Sequence, residues 1–187
     1  MELFRVGVFD LETSNLNADY GIILCGVFMD VNSNEPEILR WDMMPEFKRN
    51  KSSDRQLCEK IKEKIESFDI VIGYNSSRFD FNFLKARLLR HGLDIIAPVK
   101  HIDLYYVVKY KLKLHDAKLD TVAKFLNTKY EKTDVVGEKW VQALVEAGNR
   151  KGREAMDYIV EHCVYDVYVL KEVFLKLKDM INIIKLR

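Results

Sequence analysis

Val6-Gly7-Val8-Phe9-Asp10-Leu11-Glu12-Thr13 is a short apolar run that carries two carboxylates. Successive side chains on a strand point to opposite faces, so Asp10 and Glu12 share one face. Val6, Val8 and Phe9 mark the run as buried, and two buried acids side by side need a cation or a raised pKa to be tolerable. The same spacing is common on the polar side of an exposed hairpin. What separates the two readings is whether further acids follow downstream.

Outward from this stretch, residues 3–11 and 20–30 are β-favouring apolar runs, and a shorter one at 37–41 follows the turn-forming Asn32-Ser33-Asn34-Glu35-Pro36. Together they read as an antiparallel meander. Ser53 and Gln56 match a capping box, and Leu57, Ile61, Ile65 and Phe68 then recur at helical spacing among Lys and Glu, which predicts an amphipathic helix on the sheet. Residues 70–73 form a short buried strand, 74–78 a loop, and Phe81, Leu84, Leu88 and Leu89 a helix that stops near Gly92. One more strand is expected at 99–102, then helices at 103–111, 117–127, 137–147 and about 152–183. A meander followed by alternating strand and helix implies an α/β fold, a mixed five-stranded sheet with an antiparallel meander, parallel strands and helices on both faces. Ligands of such sheets collect at the carboxyl ends of strands, where Asp10 and Glu12 lie.

With 187 residues, 48% of them hydrophobic, the chain can bury a sizeable core and is expected to form one domain, 1–187. Its 30 basic and 29 acidic residues balance, so a nucleic-acid partner would have to be met by local patches. No apolar run approaches the roughly 20 residues of a membrane span, and strand pattern begins almost at once; a soluble cytoplasmic protein without a membrane partner is expected. Cys25, Cys58 and Cys163 have neither the pairing of a disulfide framework nor the short spacing of a zinc site, and read as small core residues.

Two more acids stand out. Asp80 opens the second helix, a place that suits an N-cap as well as a ligand. Asp166 lies beside an apolar helical stripe of Ile159, Val160, Cys163, Val167 and Leu170, either as its solvated edge or as a ligand, and His162 stands one turn before it on the same face.

In order, FDLET (9–13), YNSSRFDFNFL (74–84) and HCVYD (162–166) resemble the three motifs of the DEDD 3'-5' exonuclease superfamily, whose fold is ribonuclease H-like. The likeness is greatest to the proofreading exonuclease domain of family B DNA polymerases and its stand-alone relatives. HIDLYYVVK (101–109) and KLDTVAKFLN (118–127) extend it over nearly the whole chain.

The resemblance implies that Asp10, Glu12, Asp80 and Asp166 are catalytic acids that bind two divalent cations, Mg²⁺ or Mn²⁺. Asp10 would bridge both, Glu12 and Asp166 would complete the first, and Asp80 would support the second. Hard cations prefer carboxylate oxygen, and two of them can clamp the attacking and leaving oxygens of a phosphodiester. The chain departs from the family in its third motif: one branch has tyrosine four residues before the last aspartate, the other histidine five before it. Here His162 has the tyrosine's spacing and Glu161 the histidine's. One residue of slip turns a helical side chain by about 100°. His162 is read as a catalytic group that orients or deprotonates the attacking water, against the alternative of a His that merely fills the tyrosine slot.

By the same resemblance Thr13 holds the terminal nucleotide and Asn75 shapes the loop, while Leu11 and Phe79 flank the terminal base or belong to the core. Lys111 and Lys113, with Lys109, His115 and Lys118 near Tyr105, Tyr106 and Tyr110, form a basic and aromatic mixture suited to single strands, unless the lysines are simply solvated. Lys129 and Lys132 make a second such patch. The expected activity is metal-dependent 3'-5' exonucleolytic hydrolysis of single-stranded DNA, or RNA, to 5'-mononucleotides, in a repair or polymerase setting whose partner the sequence does not name. The alternatives are a ribonuclease H-like endonuclease and a catalytically weak nucleic-acid-binding module. Polymerase activity is not expected, because only about twenty residues follow the third motif.

Overall fold

The computed structural model describes residues 4–130 and 135–181. Residue 3 of the first expected strand, Lys132, and residues 182–183 of the expected last helix lie outside them. β1 (Val6–Thr13) pairs antiparallel with β2 (Ile23–Asp30), and β2 with β3 (Glu37–Arg40). β4 (Ile70–Gly73) and β5 (Lys100–Asp103) join in parallel on the other side of β1, which gives a five-stranded mixed sheet in the order β3-β2-β1-β4-β5. This is the expected sheet, with β1 at its centre. β4 is buried along its whole length, as a parallel strand covered on both faces must be.

The two faces of β1 carry different chemistry. On one, a methyl group on Gly7 would meet the Phe68 ring at 2.6 Å, and one on Gly26, which is paired with Leu11, would meet Leu11 Cδ2 at 2.9 Å and Ile61 Cδ1 at 3.2 Å. That face is closed by α1 (Arg55–Glu66) and α2 (Asp80–Arg90), where Phe81 meets Phe9 edge-on at 5.5 Å. Asp10 and Glu12 point to the other face, against α6 (Arg150–Leu177). The buried stripe of α6, including Ile159, Cys163, Val167, Leu170 and Phe174, packs on β1 and β2. α3 (Leu104–Lys111) starts directly after β5, and α4 (Leu119–Leu126) and α5 (Glu138–Val145) lie against α6. Helices therefore cover both faces. Among the described residues no helix is long and apolar enough to cross a membrane.

The start of α1 differs from the sequence pattern. Arg55 is its first residue, and Ser53 Oγ accepts from the Arg55 amide. Gln56 forms no capping box: its Oε1 accepts from the Glu46 amide at 2.6 Å and its own amide donates to Glu46 Oε2. Glu46 sits on a 3₁₀ turn, Pro45–Lys48, which with another at Trp41–Met43 fills the passage from β3 to α1. α6 begins at Arg150 because Asn149 caps it, its side chain accepting from the Gly152 amide at 3.0 Å.

Candidate active site

β1 supplies two of the site's acids by strand alternation, and main-chain geometry brings in a third. The Leu11 amide, between Asp10 and Glu12, donates to Asp80 Oδ1 at 3.2 Å. Phe79 occupies the N-cap position of α2, so Asp80 is the first helical residue and turns its carboxylate to β1 instead of capping. α6 contributes the rest. His162 Nε2 lies 3.8 Å from Glu12 Oε1 and 3.9 Å from Asp166 Oδ2, so one imidazole stands between acids of the first and third motifs. Asp80, His162 and Asp166 are buried; Asp10 and Glu12 are half-buried. Asp166 is thus no solvated helix edge.

The electrostatics fit a cation. Burial pushes the Asp80 carboxyl up to about 7, against the hydrogen bonds from its own and the Leu11 amides, with the Asp103 charge adding to the rise. Carboxylate oxygen is the donor that Mg²⁺ or Mn²⁺ takes, and Asp10, Glu12, Asp80 and Asp166 are the residues that could hold it.

Two neighbours escaped the sequence reading. Cys163 is core, as expected, but its Sγ lies 3.4 Å from Asp10 Oδ2, and ligand atoms of Asp10, Glu12 and Cys163 fall within 4.8 Å of one another. Burial raises its thiol pKa. Trp140 of α5 donates its indole N–H to Glu12 Oε2 at 3.2 Å. No local motif announces either contact.

The loop of the second motif is pinned from below. Asp103, at the end of β5, accepts from the Asn75 amide at 2.7 Å, the Ser77 amide at 3.0 Å and the Ser77 hydroxyl, and also caps α3 through the Tyr105 amide. Asn75 is thereby held in the left-handed region, φ 57°, which Asn tolerates better than most residues. The signal for Asp103 was present as an acid between a strand and a helix.

An open cleft of about 510 Å³ runs from the acids along Asp10, Asp166, Tyr74, Asn75, Arg78, Tyr105 and Lys118. Tyr74 and Tyr105 meet edge-on at 6.2 Å, and the Tyr74 hydroxyl donates to Ala117 O at 2.6 Å. Of the expected substrate contacts, Asn75 lines this cleft. Phe79 lines a neighbouring cavity with Leu16, Arg78 and Phe83. Thr13 is buried and bonds Asn15 O within the β1–β2 connection. Leu11 is a core residue on the α1 side of the sheet. Lys111 donates to Met180 O and Lys113 is exposed; neither lines the cleft, whose cations are Arg78 and Lys118.

A second group also departs from expectation. Ligand atoms of Asp54, Cys58 and His91 fall within 4.8 Å of one another, where Cys58 was expected only as a small core residue. Arg87, however, grips both Asp54 oxygens at 2.7–3.2 Å, so a guanidinium already neutralises that acid.

A family model of the RNase_H superfamily matches residues 8–178. The chain belongs to the RNase_H superfamily. This RNase_H-superfamily chain is 29% identical over 139 residues to a DNA polymerase of Methanocaldococcus jannaschii, an overlap of 61% of this chain and 8% of the polymerase. Its fold is similar to that of the family B DNA polymerase of the hyperthermophilic archaeon Pyrobaculum calidifontis, with a TM-score of 0.67 and 18% identity over 93% of this chain and 25% of the polymerase. The chain therefore spans a small part of either polymerase. The expected ribonuclease H-like fold and the likeness to family B polymerases are both borne out.

Proposed function

We propose that the chain, as one domain, is a metal-dependent 3'-5' exonuclease that hydrolyses the terminal phosphodiester of single-stranded nucleic acid and releases 5'-mononucleotides. The observation that carries this reading is the meeting of acids from three separate motifs around β1, with His162 Nε2 between Glu12 and Asp166 at 3.8 and 3.9 Å. Two hard divalent cations, Mg²⁺ or Mn²⁺, held by Asp10, Glu12, Asp80 and Asp166, would stabilise charge on the attacking and leaving oxygens. His162 orients the attacking water and takes its proton as the new P–O bond forms and the bond to the leaving 3'-oxygen breaks. Arg78 and Lys118 supply charge for the phosphates, and Tyr74 and Tyr105 supply ring surface for bases. Both relatives are DNA polymerases, which favours DNA over RNA as substrate.

A time course on end-labelled linear single-stranded and duplex DNA and RNA and on internally labelled single-stranded circles, in Mg²⁺, Mn²⁺ and chelator, tests the proposal. Stepwise shortening of linear single strands with intact circles is expected. Cleaved circles would make the chain an endonuclease, and tight binding without cleavage would make it a binding module.

A further inference from the structure

The Trp140 side chain touches Glu12 and His162 of the site, and Tyr158 beside it. Its N–H reaches Glu12 Oε2 at 3.2 Å, and its ring stands edge-on to His162 at 5.8 Å and to Tyr158 at 6.2 Å. Tyr158 and His162 are one turn apart on α6, so the indole lies across that stripe and aims its single side-chain donor at β1. A tryptophan that only packed α5 onto α6 could satisfy that N–H with a carbonyl or water. Here the acceptor is a carboxylate, a stronger, charge-assisted partner, and it belongs to the metal-ligand set. The last torsion of a glutamate is broad and roughly two-fold, so without such a donor the carboxylate plane is poorly fixed.

We infer that Trp140 is a positioning residue: its indole N–H sets the Glu12 carboxylate and with it the divalent-cation affinity of the site. The inference rests on the exonuclease reading for its metal. Groups that orient a ligand from outside typically change metal affinity or activity by about 10–100-fold when removed.

The chain has two tryptophans, Trp41 and Trp140. Fluorotryptophan labelling therefore gives two fluorine resonances, assigned with Trp140→Phe. Trp41 serves as internal reference, because its N–H is bonded to Ser53 O and its ring packs on Phe47. Mg²⁺ is expected to shift the Trp140 resonance saturably, to leave that of Trp41 in place, and to lose the effect in Glu12→Gln. Trp140→Phe is expected to raise the Mg²⁺ concentration for half-maximal cleavage by about tenfold or more, with KM for the oligonucleotide within about twofold. A purely structural role would lower the melting temperature and leave the metal midpoint alone. A Trp140 resonance unmoved at calorimetric saturation with Mg²⁺, or an unchanged midpoint in Trp140→Phe, would overturn the inference. Should Trp140→Phe not fold, Trp41→Phe assigns the two resonances and the wild-type Trp140 resonance decides. A Mg²⁺-dependent shift in a protein that cleaves no nucleic acid would leave Trp140's role standing and sink the exonuclease reading, and no Mg²⁺ binding at all would overturn both.

Discussion

His162 Nε2 stands 3.8 Å from Glu12 Oε1. The histidine of the third motif thus lies within ion-pair distance of the first motif's acid. Replacing it with Gln keeps the size and removes the base. The cleavage rate should fall by about 10²-fold or more with KM for the oligonucleotide unchanged, read from single-turnover kinetics. His162→Tyr should retain more activity than His162→Gln; equal rates for wild type and Gln would assign His162 a filling role.

Asp80 couples metal binding at the site to pH. Burial raises its carboxyl to about 7, so in the metal-free fold it holds, below that pH, a proton that a cation must displace. Because the folded value is above the unfolded one, its contribution to stability is present at acid pH and is lost as pH rises through about 7. Mg²⁺ affinity should therefore rise with pH across neutrality, with proton release that calorimetry detects in buffers of differing ionisation enthalpy. Asp80→Asn should flatten this dependence. Proton release identical in wild type and Asp80→Asn would place the linkage elsewhere.

Asp54 and Arg87 hold the β1–β2 connection to the helices. Arg87 donates to Asp54 and to Ala18 O, and the Ile23 amide donates to Asp54 at 2.8 Å. Burial alone would raise the Asp54 carboxyl, but the hydrogen bonds from Arg87, His91 and Ile23 outweigh it and hold it below the usual range. Stability from a lowered carboxyl is present above the unfolded value and is lost as pH falls through the folded one. Melting curves should show this loss in strong acid, and Asp54→Asn should lack it. Arg87→Ala, which strands a buried charge, should cost about 3–5 kcal/mol.

Gly152 sets how closely α5 and α6 approach. A Cβ there would lie 2.1 Å from Glu146 O and 2.6 Å from Glu146 C, main-chain atoms that cannot yield locally. Gly152→Ala should destabilise by about 1–3 kcal/mol and, by displacing α5, weaken the Trp140–Glu12 bond. Gly137→Ala, where the added methyl meets nothing within 4 Å, should stay within about 0.5 kcal/mol. Denaturant melts of the two variants make the comparison.

The sheet was legible in the sequence because its signals are local. Val8, Phe9 and the all-buried 70–73 strand announce themselves by composition, and the stripe from Ile159 to Leu170 by its period. The order of the acids was legible because each sits inside a motif. What the sequence hid depends on contacts between distant segments. Trp140 meets Glu12 across 128 positions. Gln56 looked like half of a capping box until the Pro45–Lys48 turn brought Glu46 to it. Lys111 carried charge suited to phosphate, but its ammonium is taken by Met180 O; of the basic patch named with it Lys118 lines the cleft, beside Arg78, whose place there depends on the loop pinned by Asp103.

Asp10→Asn tests the metal-dependent nuclease reading most directly, since Asp10 lies in the cleft and on the central strand. A 5'-labelled single-stranded oligonucleotide is incubated with wild type and variant in Mg²⁺, in Mn²⁺ and in chelator. The expected result is a ladder of 3'-shortened products from wild type with metal, none in chelator, and a rate about 10³-fold lower or less from the variant, equivalent to about 4 kcal/mol of transition-state stabilisation. Degradation by Asp10→Asn at the wild-type rate, or by wild type in chelator, would contradict it.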